Sequence, residues 1–188
     1  MLHYELITDQ ALKLDDGTVL YRIRTLVDLP EHGVVKGEIG GWIEKTDNLK
    51  GAAWVHRNAR VSGNARVNGN AQVYGNAWVS GDAWVYGNAR VSGDAQVYGN
   101  ARVSGNAQVY GDAVIEKSTD VLNVGPALSS GRYTTAFTCK EGVKVYAGCF
   151  LGTVTEFEAA IEKTHANHSR HLNQYRAIAA LIRAHFDL

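Results

Sequence analysis

The sequence lacks a net charge: across its 188 residues, nineteen Lys and Arg balance nineteen Asp and Glu. Without a global field it is not drawn to nucleic acid or to an anionic membrane surface, and any anion site has to be local. Cysteine is scarce as well. Cys139 and Cys149 are too few for a disulfide framework and suit a reducing compartment, so both thiols are expected to be free. No apolar run approaches the roughly 20 residues of a membrane span. The opening MLHYELITDQ has neither the basic nor the apolar region of a signal peptide. The expectation is a cytoplasmic protein that does not enter a membrane. The length suffices to bury a core and suggests two linked units.

What is abundant is a six-residue period. Val55, Val61, Val67 and every sixth residue to Val109 form one frame, which Ile115 and Val121 extend forward and Leu49 and Ile43 backward. Two residues before each member from Val55 to Ile115 stands an alanine, Ala53 through Ala113. In a strand, side chains two apart share a face, so each Ala and Val point together into a core. Gly followed by Asn or Asp comes next in most units, as in Gly69-Asn70 and Gly81-Asp82, and these residues turn a chain at little cost. Each hexapeptide is therefore one short strand and one corner. A helix is excluded, because a glycine every six residues costs about 1 kcal/mol each and the spacing fits no 3.6-residue stripe. Strands this short bury a face only by stacking on copies of themselves.

The Val-x-Gly-Asn-Ala-x unit resembles the hexapeptide repeat of left-handed parallel β-helix proteins, in which three hexapeptides make one triangular coil. The likeness covers residues 43 to about 121 and implies that positions 18 apart stack at about 4.8 Å. Asn70, Asn88 and Asn106 would then form an amide ladder. A column of Asn58, Asn76, Asp94 and Asp112 would put two acids together, so that corner is expected to face water. Among outward positions, Trp84 should lie between Arg66 and Arg102, and Arg60 beside Trp78. Tyr and Ser alternate along the chain. Tyr, Trp and Arg favour interfaces, and the family's habit is a homotrimer, so Tyr74, Trp78, Trp84, Tyr86, Tyr98 and Tyr110 are candidate trimer-interface residues.

Many proteins with this repeat are acyltransferases that use a histidine base and an acyl-thioester cofactor. Residues 51 to 116 offer only His56, and no loop interrupts the repeats to build a pocket. The expectation is no catalytic residue, no cofactor and no metal, with an acyl-CoA-dependent acyltransferase as the alternative. The zinc carbonic anhydrases of this fold need three histidines, and ice-binding helices need threonine arrays. Neither pattern is present.

Residues 1–42 alternate as strands do, in YELIT and TVLYRIRTLV, with Asp15-Asp16-Gly17 as a hairpin turn. They are expected to form an N-terminal β cap on the coil's open edge. Residues 43–122 form the β-helix. Beyond them the period stops, and residues 123–188 read as a small ββαα domain: TTAFTCK and VKVYAGCF as a hairpin around Glu141-Gly142, then two helices. Thr153 and Glu156 make a capping box. The first helix should bury Val154, Phe157 and Ile161, and the second Leu172, Tyr175, Ala179, Ile182 and Phe186.

In this unit Ser129, Ser130, Arg132, His165, Arg170, His171 and Arg176 are candidate ligand-binding residues. The loop around Arg132 suits a phosphate, and residues 163–188 are locally basic. His165, His168 and His171 have no nearby acid or thiol to complete a metal site. The stretches VVKGEIGGWIEKTDNL and GCFLGTVTEFEAAIEKTH are similar to segments of hexapeptide-repeat proteins from bacteria and their prophages, which implies binding or sequestering of host components rather than a known reaction. The reading is a non-catalytic homotrimeric scaffold presenting its C-terminal domain to an anionic small molecule, a nucleotide or a host protein, with neither membrane nor nucleic acid as partner.

Overall fold

A computed structural model describes residues 2–127 and 131–188. The architecture is mainly β. Strands β1 (Tyr4–Lys13) and β2 (Val19–Thr25) form an antiparallel hairpin, and β2 pairs with β3 (Ile39–Ile43). Eleven two-residue strands follow, β4 to β14, running from Trp54–Val55 to Val114–Ile115. They stack in parallel with partners 18 residues apart, as Trp42 with Arg60 and Gln72 with Arg90, so three hexapeptides make one coil. The first face is β3-β5-β8-β11-β14, the second β4-β7-β10-β13 and the third β6-β9-β12.

The core is the expected one. Every repeat Ala from Ala53 to Ala113 and every frame residue from Ile43 to Ile115 is buried. A buried Val contributes about 1.5–3 kcal/mol, and the column holds the register. Each coil also passes backbone hydrogen bonds to the next, Arg60 N–H donating to the Ala77 carbonyl and Arg90 N–H to that of Ala107, both at 2.9 Å. At the corners Asn70 donates to Asn88 and Asn88 to Asn106, at 3.3 and 3.0 Å. The two-acid column faces water as expected at Asn58, Asn76 and Asp94, which are exposed, and Asp112 is half-buried. Asp94 accepts from Asn76, and Asp112 is drawn into an ion pair with Lys144 at 2.8 Å. A cation from beyond the repeats thus offsets the charge of Asp112.

The N-terminal strands cap the lower end as expected, and Asp15-Asp16-Gly17 makes the turn, with Gly17 at a φ of 88°. The C-terminal unit has twice the expected strands. An antiparallel sheet runs β15 (Val121–Ala127), β16 (Arg132–Cys139), β17 (Gly142–Ala147) and β18 (Phe150–Thr153), before α1 (Val154–His165) and α2 (Ser169–Phe186). The β16–β17 register pairs Cys139 with Gly142, so the turn is Lys140-Glu141, one residue earlier than expected. Cys139 is buried and Cys149 exposed in the next turn, both free.

Thr153 and Glu156 form the capping box, and Val154, Phe157 and Ile161 are buried. In α2, Ile178 is buried together with Ala179 and Ile182, whereas Leu172, Tyr175 and Phe186 are only partly covered. The sheet is fused to the coil. Phe137 of β16 joins the β-helix core while its neighbour Ala136 packs under the helices, the two faces of one strand serving two cores.

Corner glycines take left-handed backbone and sit against the next corner. A Cβ on Gly93 (φ 76°) would lie 2.7 Å from the Gly111 backbone nitrogen, whereas one on Gly111 (φ 67°) meets nothing within 4 Å. Gly111→Ala should therefore cost only the backbone strain, about 1–2 kcal/mol. Gly93→Ala should cost about 1–3 kcal/mol more from overpacking. Equal urea midpoints for the two variants would refute this stacking account.

Candidate functional site

The second face is not flat. At its lower end the 3-10 turn Pro30–His32 forms one side of an open cleft of about 540 Å3 lined by Glu31, His32, His56, Arg57, Gln72, Tyr74, Gly75 and Arg90. A pocket therefore exists without any loop interrupting the repeats, because the cap supplies its wall. The histidines serve the seam. His32 Nε2 lies 2.6 Å from the Ala52 carbonyl and His3 Nε2 lies 3.0 Å from that of Ala53, acceptors on an edge with no coil beneath it. His32 Nδ1 and His56 Nε2 are enclosed without a partner. Burial holds the His3 and His56 imidazoles below their ordinary value, against an opposing hydrogen bond to the Ala53 carbonyl and to the Gln72 side chain respectively.

Arg57 breaks the repeat. Every other corner in this position from Gly51 to Gly111 carries glycine, yet Arg57 adopts φ 44° there. Its carbonyl accepts from Arg22 Nη1, which also donates to the Gly40 carbonyl at 2.8 Å, and Arg22 lies over the Trp42 ring at 4.3 Å.

At the upper end a second cleft of about 560 Å3 is lined by Arg90, Asn106, Gln108, Arg132, Tyr133, Tyr146, Gly148 and Cys149. Here β16 caps the coil. Thr135 Oγ1 accepts from Gln108 N–H at 3.1 Å, and Thr138 Oγ1 donates to the Val114 carbonyl.

The candidate ligand residues do not form one group. Ser129 and Ser130 lie outside the described residues. Arg132 lines the second cleft, to which α2 contributes no residue. Arg176 is held by Glu162 through two bonds at 2.6 and 2.7 Å, and Arg183 by Glu158 at 2.7 Å, so acids on α1 neutralise the basic helix. His165 stacks on Tyr175 at 4.8 Å between centroids and meets His171 edge-on at 5.9 Å. Arg170 is exposed. Among the described residues, no three His, Cys, Asp or Glu side chains gather as a metal site would require.

The aromatic set also divides by face. Trp84 on the third face lies between Arg66 and Arg102, 5.2 and 5.4 Å from the ring, with Trp84 and Tyr86 still 40% and 38% exposed. Trp78 on the first face, beside Arg60, donates to Ser62 at 3.0 Å, and Tyr98 is half-buried there. On the second face Tyr74 reaches Tyr110 across the buried Ser92, and Tyr146 covers Tyr110 at 4.7 Å. Desolvation pushes the Tyr110 phenol well up.

Residues 59–74, 71–87, 83–95 and 95–111 match the family model of the YdcK beta solenoid repeat. The chain is a β-solenoid repeat protein. No curated relative matches it. Among the described residues of the solenoid and its caps, no helix is long and apolar enough to cross a membrane.

The solenoid's lower seam should respond to acid. Folded His3 and His56 release their protons below 6.5, whereas in the unfolded chain they titrate near that ordinary value. As the pH falls through about 6.5 the unfolded state takes up protons that the folded state refuses, and stability falls with it. The Tm should drop between pH 7.5 and 5.5, and less steeply in a His3→Gln/His56→Gln variant. Parallel Tm profiles for the two proteins would contradict this.

Proposed function

We propose that the protein is a non-catalytic homotrimeric β-solenoid scaffold that holds an anionic ligand and carries its C-terminal unit as a fixed extension of the stalk. The observation that carries this reading is the third face. Arg66, Trp84 and Arg102 form a cation–π stack with Tyr86 beside it, exposed on the third sheet. Large aromatic and Arg side chains left in water on a rigid surface favour burial against a partner, and copies of one rigid prism satisfy that need for each other. The second face is walled at both ends and is left for the ligand. Three ligand sites on one rigid body add avidity where the target spans more than one. The sequence likeness to proteins of bacteria and their prophages supports a role in sequestering a cytoplasmic component by binding.

A second reading is favoured by one feature, the cleft around His56. A half-buried imidazole whose proton affinity is lowered and whose Nε2 has no partner suits a general base, as an acyl-CoA-dependent acyltransferase would need. Calorimetry with acetyl-CoA separates the two. Binding together with acyl transfer lost in His56→Ala supports the enzyme, and no binding removes it.

For the scaffold, native mass spectrometry should give a trimer for the unaltered chain and predominantly monomer for Trp84→Ala, with the circular dichroism spectrum retained. A monomer in both, or a trimer indifferent to Trp84, would overturn the assembly.

A further inference from the structure

The two clefts of the second face share Arg90. They meet at Arg90 on the same face, so we read them together as a trough along the solenoid axis, with Glu31 and His32 lining its lower part and Gly148 and Cys149 its upper part. Its floor takes one side chain from each coil, Gln72, Arg90 and Gln108, directly paired with one another. We propose that this trough binds a linear polyanion of low charge density, an acidic oligosaccharide in which neutral sugar residues separate the carboxylates. The inference rests on the anion-holding part of the scaffold reading and is independent of the trimer, because the trough lies within one chain.

Three observations support it. The first is charge. Arg57, Arg90 and Arg132 line the two clefts, and among the described residues none of the three has a carboxylate at ion-pair distance. The acid of the trough, Glu31, lies at its lower end and disfavours an anion beyond Arg57.

The second is the strain at Arg57. A left-handed backbone on a residue with a Cβ is unfavourable, the repeat elsewhere avoids it with glycine, and strain of this kind concentrates at functional positions. The substitution places a guanidinium at the mouth of the lower cleft.

The third is spacing. Arg57 and Arg90 are two coils apart, about 10 Å along the axis at the usual strand separation. A nucleic-acid strand carries a phosphate about every 3.4 Å and would leave most of its charge unanswered. Between Arg57 and Arg90 the lining is Gln72 and Tyr74, and above Arg90 it is Asn106 and Gln108; their amide N–H groups and the Tyr74 oxygen, whose own proton goes to Tyr110, offer the donors and acceptors that the hydroxyls of neutral sugars require.

The test is calorimetry on the full chain with a hyaluronan hexasaccharide, which alternates glucuronate with neutral N-acetylglucosamine. Tripolyphosphate and neutral chitohexaose serve as comparators. The hexasaccharide should bind, and both comparators should bind at least about tenfold more weakly, one whole charge contact. Arg90→Ala and Arg57→Gly should each weaken binding about tenfold, and Arg176→Ala should leave it unchanged. Arg57→Gly restores the repeat, so its Tm should rise while its affinity falls, which separates lost function from lost fold. If tripolyphosphate binds and hyaluronan does not, the glycan assignment falls and the broader anion reading stands. If no anion binds, both fall. Binding unchanged in Arg57→Gly, or abolished by Arg176→Ala, would place the site elsewhere and overturn the inference.

Discussion

Each coil of this protein passes its backbone hydrogen bonds to the next, and the two terminal coils each have a neighbouring coil on one side only. That constraint shapes everything outside the repeat. Buried peptide groups without partners are costly, and an open parallel edge invites pairing with other chains. The lower edge is closed by β2 against β3 and by imidazole nitrogens on the Ala52 and Ala53 carbonyls. The upper edge is closed by β16, whose threonine hydroxyls reach Gln108 and Val114 while Phe137 plugs the core. Both end units are thus parts of the stack.

The trough follows from the same constraint. Caps that reach over an edge must overhang at least one face, and here both overhang the second. The repeat provides a flat floor, one residue per coil, and the caps provide the end walls. Chemistry enters where repeat rules lapse. His56 occupies a position that holds Tyr74, Ser92 and Tyr110 in the following coils, and Arg57 occupies the glycine corner. The third face keeps its rules and stays open and aromatic.

The solenoid was legible in the sequence because its determinants are local and periodic. Ala71 and Val73 declare their common side two residues apart, and Gly69-Asn70 declares its corner. The capping box at Thr153 and the turn at Asp15 are equally local. What stayed hidden was long-range. Nothing near Glu31 shows that it will lie beside Gln72, and the pairing of Arg176 with Glu162 depends on how two helices cross. Two strands of the C-terminal sheet were missed for a related reason. Val121–Ala127 continues from the last frame residue, and Phe150–Thr153 runs directly into a helix, so neither is set off by composition. One signal was visible and passed over: the single corner where arginine stands for glycine.

The triangular coil has a further implication for lineage. Because both end units are seated on particular faces, the chain can change length freely only in whole coils, each of which would lengthen the trough by one step and keep its walls aligned. Gain or loss of a lone hexapeptide would swing the upper wall through a third of a turn and set Arg132 above a different side of the prism. Inheritance of the trough therefore counts in threes.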